Sequence, residues 1–543
     1  MEETGNTPNS DLRPDYKILI PTSLVILSVC IPFVLYPDAS QSILKTIFNM
    51  LSTYAGSAFL WISLSFVALS LYFIFSKYGN IKFGEPDEKP AFSDISWIAM
   101  MFCTGVAGAV MYWSVAEPLF DLAFPPMHAA PFSKEAYEWA TTYVLFHWGP
   151  LTWSWYVICA IPICYMYYKR KKPVLRISTA CEEALGKRVN GPLGSAIDSF
   201  FCIGLVASNA AVMAISVPII AFSLSETFGI EPSLGLQLIV LATSTVIFSA
   251  SVAAGLEKGI ANLSYVNLII AIALITFAFI VGPTTYIVDN FTNAFGMMLS
   301  NFFHMSLWTD PHTSGTFPQD WTVFYALWMA SYGPFMGLFI ARISKGRTVR
   351  QIVSMGLIFG ILGGWLIHGV FGGYTLHLQL TGALDAAGIL KEFGPAMAVV
   401  KVLSSLPGGI AILLAYCVFS TIFLATSVDS AAYALSTACT RKLGIGDHPT
   451  VGHRFFWAFL QAILPASMLF IGGIAPMKTF ANVAGALMIL VIIPMVISLF
   501  KMLKDEDPVR LKYPEIADKL ERLDKLEALA DLESPKQDYK QAS

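Results

Sequence analysis

Charge is what this sequence of 543 residues is short of, with Asp, Glu, Lys and Arg making up 13% of it. A water-facing fold of this length carries about twice that share. Much of the surface must therefore meet something other than water, and 55% hydrophobic residues with a mean hydropathy of +0.63 point to lipid. A basic face is also missing. The net charge is -3 and the Lys and Arg residues fall in short loops, which argues against a nucleic-acid partner. The eight Cys sit mostly in apolar runs, Cys164, Cys202 and Cys417 among them, without the paired spacing of a zinc site or disulfide framework. They read as small buried hydrophobes. No Gly-rich loop closed by Lys and a hydroxyl is present to cradle a nucleotide phosphate. The first 15 residues are polar and mildly acidic, so no removable signal peptide is expected. Buried acids and His do not gather near one interface, as an enzyme working in a membrane would need.

What is abundant is the long apolar run. Stretches able to cross roughly 30 Å of hydrocarbon recur about twelve times, at 16–35, 54–76, 94–115, 139–167, 193–222, 234–254, 264–286, 321–341, 351–374, 409–434, 453–474 and 477–500. The expected fold is all-α and polytopic. Lys169, Arg170, Lys171, Lys172 and Arg176 follow the fourth run; Arg342, Lys345, Arg347 and Arg350 follow the eighth; Arg441 and Lys442 follow the tenth. By the positive-inside rule these loops, and with them both termini, face the cytoplasm. Residues 287–320 are expected to lie on or dip below the outer interface, or to form a plain aromatic belt with Trp308 and Phe317. Residues 504–543 hold 8 basic and 11 acidic residues, and Ile516, Leu520, Leu523 and Leu526 mark one thin amphipathic stripe. That stripe suits packing on the membrane body or on a neighbouring subunit.

Ionisable groups inside apolar runs cost several kcal/mol unless paired or hydrated, which singles out Glu117, His147, Asp198, His368 and Asp429. Glu117, placed before Pro118 at the end of the third run, is read either as a cation ligand or as a helix-end acid holding backbone or an Arg. His147 is either a proton carrier or a packing His at a kink. Local hydrogen bonds or ion pairs near an interface suffice for Asp198 and His368. In the tenth run Phe423, Thr426, Ser427 and Asp429 bring two hydroxyls and a carboxylate within about two turns. They suit a hard cation such as sodium, helped by carbonyls that Gly105 and Gly108 release around Thr104, Val106 and Ala107. Small residues and hydroxyls bonded to their own helices explain the same pattern.

Rings form the second constellation: Tyr112 and Trp113, then Trp148, Trp153, Trp155 and Tyr156, then Trp321, Tyr325, Trp328 and Tyr332, the last four at helical spacing on one face. A trimethylammonium group cannot donate a hydrogen bond, so ring faces are its natural partner. Packing and interface anchoring are the competing uses of such rings.

Met111 to Pro118, Phe146-His147-Trp148-Gly149-Pro150, Gly255 to Ile260, Phe317-Pro318 with Trp321 to Tyr325, and Phe339 to Arg350 occur in an order that resembles the betaine/carnitine/choline transporter family over roughly residues 15–502. The resemblance implies twelve spans, with a five-helix inverted repeat of the kind found in sodium-coupled amino-acid transporters, and a homotrimer in a bacterial-type inner membrane. It divides the chain into a cytoplasmic tail at 1–15, two peripheral spans within 16–93, a first repeat at 94–286, the outer segment 287–320, a second repeat at 321–502 and a charged cytoplasmic tail at 503–543. It implies secondary transport of glycine betaine, carnitine, choline or a related betaine, with no enzyme activity, organic cofactor or transition metal. The implied substrate residues are Trp148, Trp153, Trp328, Tyr332, Trp113 and Met329, where Met329 stands in place of a ring. Trp321, Tyr325, Gly105 and Gly108 fall along the route. Phe423, Thr426 and Ser427 match ion ligands of sodium-coupled members, with backbone at Thr104, Val106 and Ala107; Glu117 and Asp429 take supporting roles. The wording is closest to the carnitine/γ-butyrobetaine exchanger, yet Ala261 stands where the exchanger carries an Arg in the cation position. Sodium symport is therefore expected, with sodium-independent exchange as the alternative and a non-transporting substrate sensor as the rival from another class.

Overall fold

A computed structural model describes residues 11–105, 108–172, 176–254, 257–313, 315–443, 447–471 and 474–506. The stripe expected at 516–526 lies outside them, as do Val106, Ala107 and the ends of both tails.

Each expected run is built of helix over most of its described residues. The principal helices are α1 (Tyr16–Leu35), α2 (Pro37–Phe75), α3 (Asp94–Gly105), α4 (Gly108–Ala123), α5 (Lys134–His147), α6 (Pro150–Cys164), α7 (Pro192–Phe228), α8 (Leu234–Ala254), α9 (Glu257–Val281), α10 (Thr284–Leu307), α11 (Phe324–Ile343), α12 (Val349–Ile367), α13 (Gly409–Ala438), α14 (Val451–Ile471) and α15 (Ile474–Lys504). Among the described residues nine helical segments are long and apolar enough to cross a membrane, or ten if the bent pair α3 and α4 is one span. The fourth run is two helices, α5 and α6, each under 18 residues, and is not among these. The sixth run is the helix α8.

Local chemistry sets the ends. Pro37, Pro150 and Pro192 open α2, α6 and α7, at the position where a missing N–H costs nothing. Ser133 caps α5 by accepting from the Ala136 amide at 3.2 Å, and Thr348 and Gln351 form a reciprocal capping box at the start of α12. One expectation needs correction. Pro118 does not end the third run: α4 continues through it to Ala123. Helix α10 occupies most of residues 287–320.

Helix α11 is the centre of the molecule, packed between α6 and α15, while α7 lies against α13 and α15 and α3 lies along α12. A two-stranded sheet pairs β1 (Asp11–Pro14) with β2 (Thr440–Lys442) antiparallel, Asp11 opposite Lys442 and Pro14 opposite Thr440. The basic turn after α11 is a latch. Phe83 donates its amide to the Arg347 carbonyl at 2.9 Å, Gly346 to Phe83 at 2.7 Å and Val349 to Ile81 at 2.9 Å. Gly346 has φ +79 and its missing side chain leaves room for Lys89 and Pro90 backbone. The Arg347 guanidinium bonds Asp94, donates to the Phe92 carbonyl at 2.9 Å and stacks over Trp97.

Candidate functional site

The site grows from two helix interruptions. One separates α3 from α4, and the other is the Trp148-Gly149 step between α5 and α6. Both face α11. Glu117 in α4 is fully buried and collects three side chains. His147 Nδ1 stands 2.7 Å from its Oε1, Trp148 donates Nε1–H to Oε2 at 2.9 Å, and the Tyr325 hydroxyl donates to Oε2 as well. The far nitrogen of His147 reaches the Thr322 hydroxyl at 3.1 Å. Glu117 thus neither ends a helix nor holds an Arg; it joins α4 to the α5–α6 break and to the start of α11.

Proline in the middle of α4 is accommodated because Gly372, in the π turn His368–Gly372, leaves room beside the Ser114 carbonyl that Pro118 cannot bond. His368 opens that turn with its ring 4.9 Å from Trp148, and neither of its nitrogens has a hydrogen-bond partner among the described residues. It therefore serves neither an ion pair nor a local hydrogen bond. Asp198, by contrast, accepts from the Ser178 amide at 2.9 Å and hydroxyl at 2.7 Å.

Trp113 is the hub of the rings. Its centroid lies 5.9 Å from Trp321 and Phe324, and 6.1 Å from Tyr325 and Trp328. Trp148 meets Tyr325 at 5.5 Å and Trp328 at 6.2 Å. A second group lies further along α6 and α11, where Tyr156 stands 5.4 Å from Trp153 and 6.4 Å from Tyr332 and donates its hydroxyl to the Met329 sulfur at 2.9 Å. Trp328 and Met329, adjacent on α11, link the two groups. From outside the spans, Trp308 and Phe317 continue the rings toward Trp321 at 6.0 and 6.3 Å. That loop is fastened by Asp310, 2.9 Å from His128 Nε2. Burial alone would raise the Asp310 carboxyl, but bonds from Thr313 and His128 outweigh it and hold the group below its ordinary range.

The proposed ion residues are less assembled. The Thr426 hydroxyl donates to the carbonyls of Ile422 at 3.0 Å and Phe423 at 3.1 Å, and Thr104 donates to Met101 at 2.6 Å. Each hydroxyl is satisfied within its own helix while its oxygen keeps lone pairs. Ser427 is partly buried beside Thr426. Asp429 pairs with Arg454 at 3.1 Å. Gly105 is a packing residue: a Cβ there would strike the Gly360 carbonyl and lie 2.9 Å from the Gly364 amide nitrogen. Gly360 in turn leaves space for the Trp153 ring. Gly108 is the first residue of α4.

Two residues escaped the sequence reading. Asp121, one turn beyond Glu117, is fully buried and neither carboxylate oxygen has a hydrogen-bond partner among the described residues. Lys478 on α15 brings its ammonium to 3.9 Å from the Phe324 ring centre and 4.2 Å from that of Trp321. The signal for Asp121 was its place four residues after Glu117, hidden once Pro118 was taken as a helix end.

Compared with known proteins, residues 17–508 match the family model described as BCCT, betaine/carnitine/choline family transporter. The uncharacterized transporter YeaV of Escherichia coli (strain K12) is 35% identical over 415 residues, covering 76% of this chain and 86% of that protein. A carnitine transporter of Acinetobacter baumannii is 31% identical over 480 residues, covering 88% and 86%. A solved sodium-coupled sialic acid symporter in its substrate-bound, outward-open state is 14% identical, covering 82% of this chain and 85% of its own, with a TM-score of 0.40, too loose a likeness to argue from.

Proposed function

We propose, from the premise that this chain belongs to the betaine/carnitine/choline transporter family, that it carries a quaternary-ammonium solute into a bacterial cell by sodium-coupled symport. Family membership makes it a membrane transport protein and not an enzyme. The observation that carries the substrate reading is a pair of ring groups, Trp113, Trp148 and Trp328 in one and Trp153, Tyr156 and Tyr332 in the other, which meet at Met329, bonded by Tyr156 and next to Trp328 on α11. Desolvated ring faces offset part of the hydration that a methylated ammonium loses. Glycine betaine, carnitine, choline and related betaines all present that group. Met329 adds a polarizable sulfur beside the rings, suited to methyl contacts.

Sodium coupling rests on Phe423, Thr426 and Ser427 of α13, with backbone around Thr104, Val106 and Ala107 as further oxygen. The rest of the reading is twelve spans with a five-helix inverted repeat, the segments 1–15, 16–93, 94–286, 287–320, 321–502 and 503–543 in the roles given above, a homotrimer, and both termini in the cytoplasm. Sodium-independent exchange is the second reading, favoured by the likeness of the sequence to the carnitine/γ-butyrobetaine exchanger.

Purified protein in liposomes, offered labelled glycine betaine, carnitine and choline under an inward sodium gradient, is expected to accumulate at least one of them. Failure to move any quaternary amine sinks the substrate class. Uptake in sodium-free buffer that requires solute already inside replaces symport by exchange, and binding without counterflow makes the protein a sensor.

A further inference from the structure

The ring cluster already holds a cation of the protein's own. Lys478 Nζ lies 3.9 Å from the centre of Phe324, 4.2 Å from Trp321 and 5.4 Å from Trp113. Its described hydrogen bond is a long one, 3.4 Å to the Asp320 carbonyl. An ammonium has three N–H donors and ordinarily seeks oxygen, so rings are a poor substitute unless they are a resting place. Asp121 is the complementary oddity. It is a fully buried carboxylate on α4 with no hydrogen-bond partner among the described residues, and Lys478 is within electrostatic reach of it. Glu117 and Asp320 also face Lys478, but Glu117 is bound by His147, Trp148 and Tyr325, and Asp320 accepts from the Thr316 hydroxyl at 2.6 Å. Of the three acids, Asp121 is the one with no hydrogen-bond donor at either oxygen among the described residues.

We propose that Lys478 is a tethered competitor for the cage of Trp113, Trp321 and Phe324, displaced onto Asp121 when a methylated ammonium enters. The inference rests on the quaternary-ammonium reading of the ring cluster and assigns it a specificity device. A tethered ligand competes at an effective concentration that a free solute must exceed. A free primary amine gains little by replacing another primary ammonium. A quaternary one does gain, because it is weakly hydrated and gives up less water to enter the rings than a primary ammonium does. Lys478 therefore sets both the apparent affinity and the discrimination against unmethylated amines.

Tetramethylammonium titrated against the intrinsic tryptophan fluorescence of the purified full-length protein reads the cage without requiring transport. Lys478→Met is expected to lower the half-saturating tetramethylammonium concentration roughly three- to tenfold, and to bring methylammonium closer to it. Asp121→Asn, with Lys478 intact, is expected to raise the concentration. In the double variant Asp121→Asn is expected to add nothing, the mark of two residues acting on each other. Unchanged or weaker binding in Lys478→Met, or additive effects in the double variant, overturns the proposal. If Lys478→Met does not fold, Lys478→Gln is read in the same way, and unchanged binding in Asp121→Asn overturns it independently. Tight tetramethylammonium binding that follows this pattern, in a protein that moves no quaternary amine in liposomes, refutes the transport reading and leaves this one standing.

Discussion

Glu117 shows what a buried carboxylate does when it is fully supplied with donors. Three side chains from two other segments converge on it, so it orients the Trp148 ring through one oxygen and the Tyr325 ring through the same one. Glu117→Gln keeps the size but turns one acceptor into a donor, which then faces the Trp148 and Tyr325 donors or forces His147 into its other tautomer, at the expense of the Thr322 contact. A buried donor left unmet costs about 1–3 kcal/mol, so Glu117→Gln is expected to lower thermal stability in detergent and to slow uptake; an unchanged melting temperature would mean the network carries little. Trp328, 5% exposed and in contact with Trp113, Trp148, Phe324 and Tyr325, is the residue whose removal should be felt most directly in binding. Trp328→Ala is expected to weaken solute binding by roughly 1–2 kcal/mol, read by equilibrium binding, and unaltered affinity would remove it from the site. The ring residues were legible because four of them repeat at helical spacing. Lys478 was not, since it stands at the edge of the last apolar run and a Lys there reads as an interfacial anchor.

Among the elements, the pairing of α3 with α12 is the most demanding. Gly105 lies on Gly360 and Gly364 with no room for a side chain, and Gly360 also accepts the Trp153 ring. Gly360→Ala pushes a methyl into that ring. Overpacking of this kind costs about 1–3 kcal/mol, so it is expected to reduce the yield of folded protein and to shift Trp153, seen as a changed near-UV dichroism. A spectrum and yield like the parent's would show that α12 yields easily. Gly105 attracted attention in the sequence as a helix interruption, and the interruption is there. Its role in close packing depends on a partner 255 positions later, which no local pattern reveals. The Pro118 error has the same origin. Local rules end a helix near Pro, and only Gly372, brought in by the π turn, explains why α4 goes on.

At the scale of the whole molecule, apolar composition makes an all-α membrane protein legible, because each run must satisfy its own backbone in lipid. The β1–β2 pair and the latch at Arg347 were not legible, since both join segments hundreds of residues apart. The proposed sodium symport would couple ion and solute through the whole bundle. On that proposal, Thr426→Ala is expected to raise the sodium concentration for half-maximal uptake while solute binding at saturating sodium stays as it was, and linkage would make sodium and solute tighten each other by the same factor. Binding that is indifferent to replacing sodium with potassium defeats the assignment.

The latch has a mechanical consequence. Arg347 ties the start of α3, at Asp94, to the turn that leads into α12, and Gly105 ties the end of α3 to the middle of α12. The two ties stand about 16 Å apart along α3. A single tie is a pivot; two make a plate, which can be carried or tilted but cannot fold along its length. Helices α3 and α12 must then travel as one rigid slab. Trp153, on α6, touches this slab at Gly360, whereas Glu117, Trp113 and Asp121 lie on α4, beyond the interruption. Movement of the slab would slide Gly360 beneath the Trp153 ring while α4 and Trp113 answer to a separate hinge.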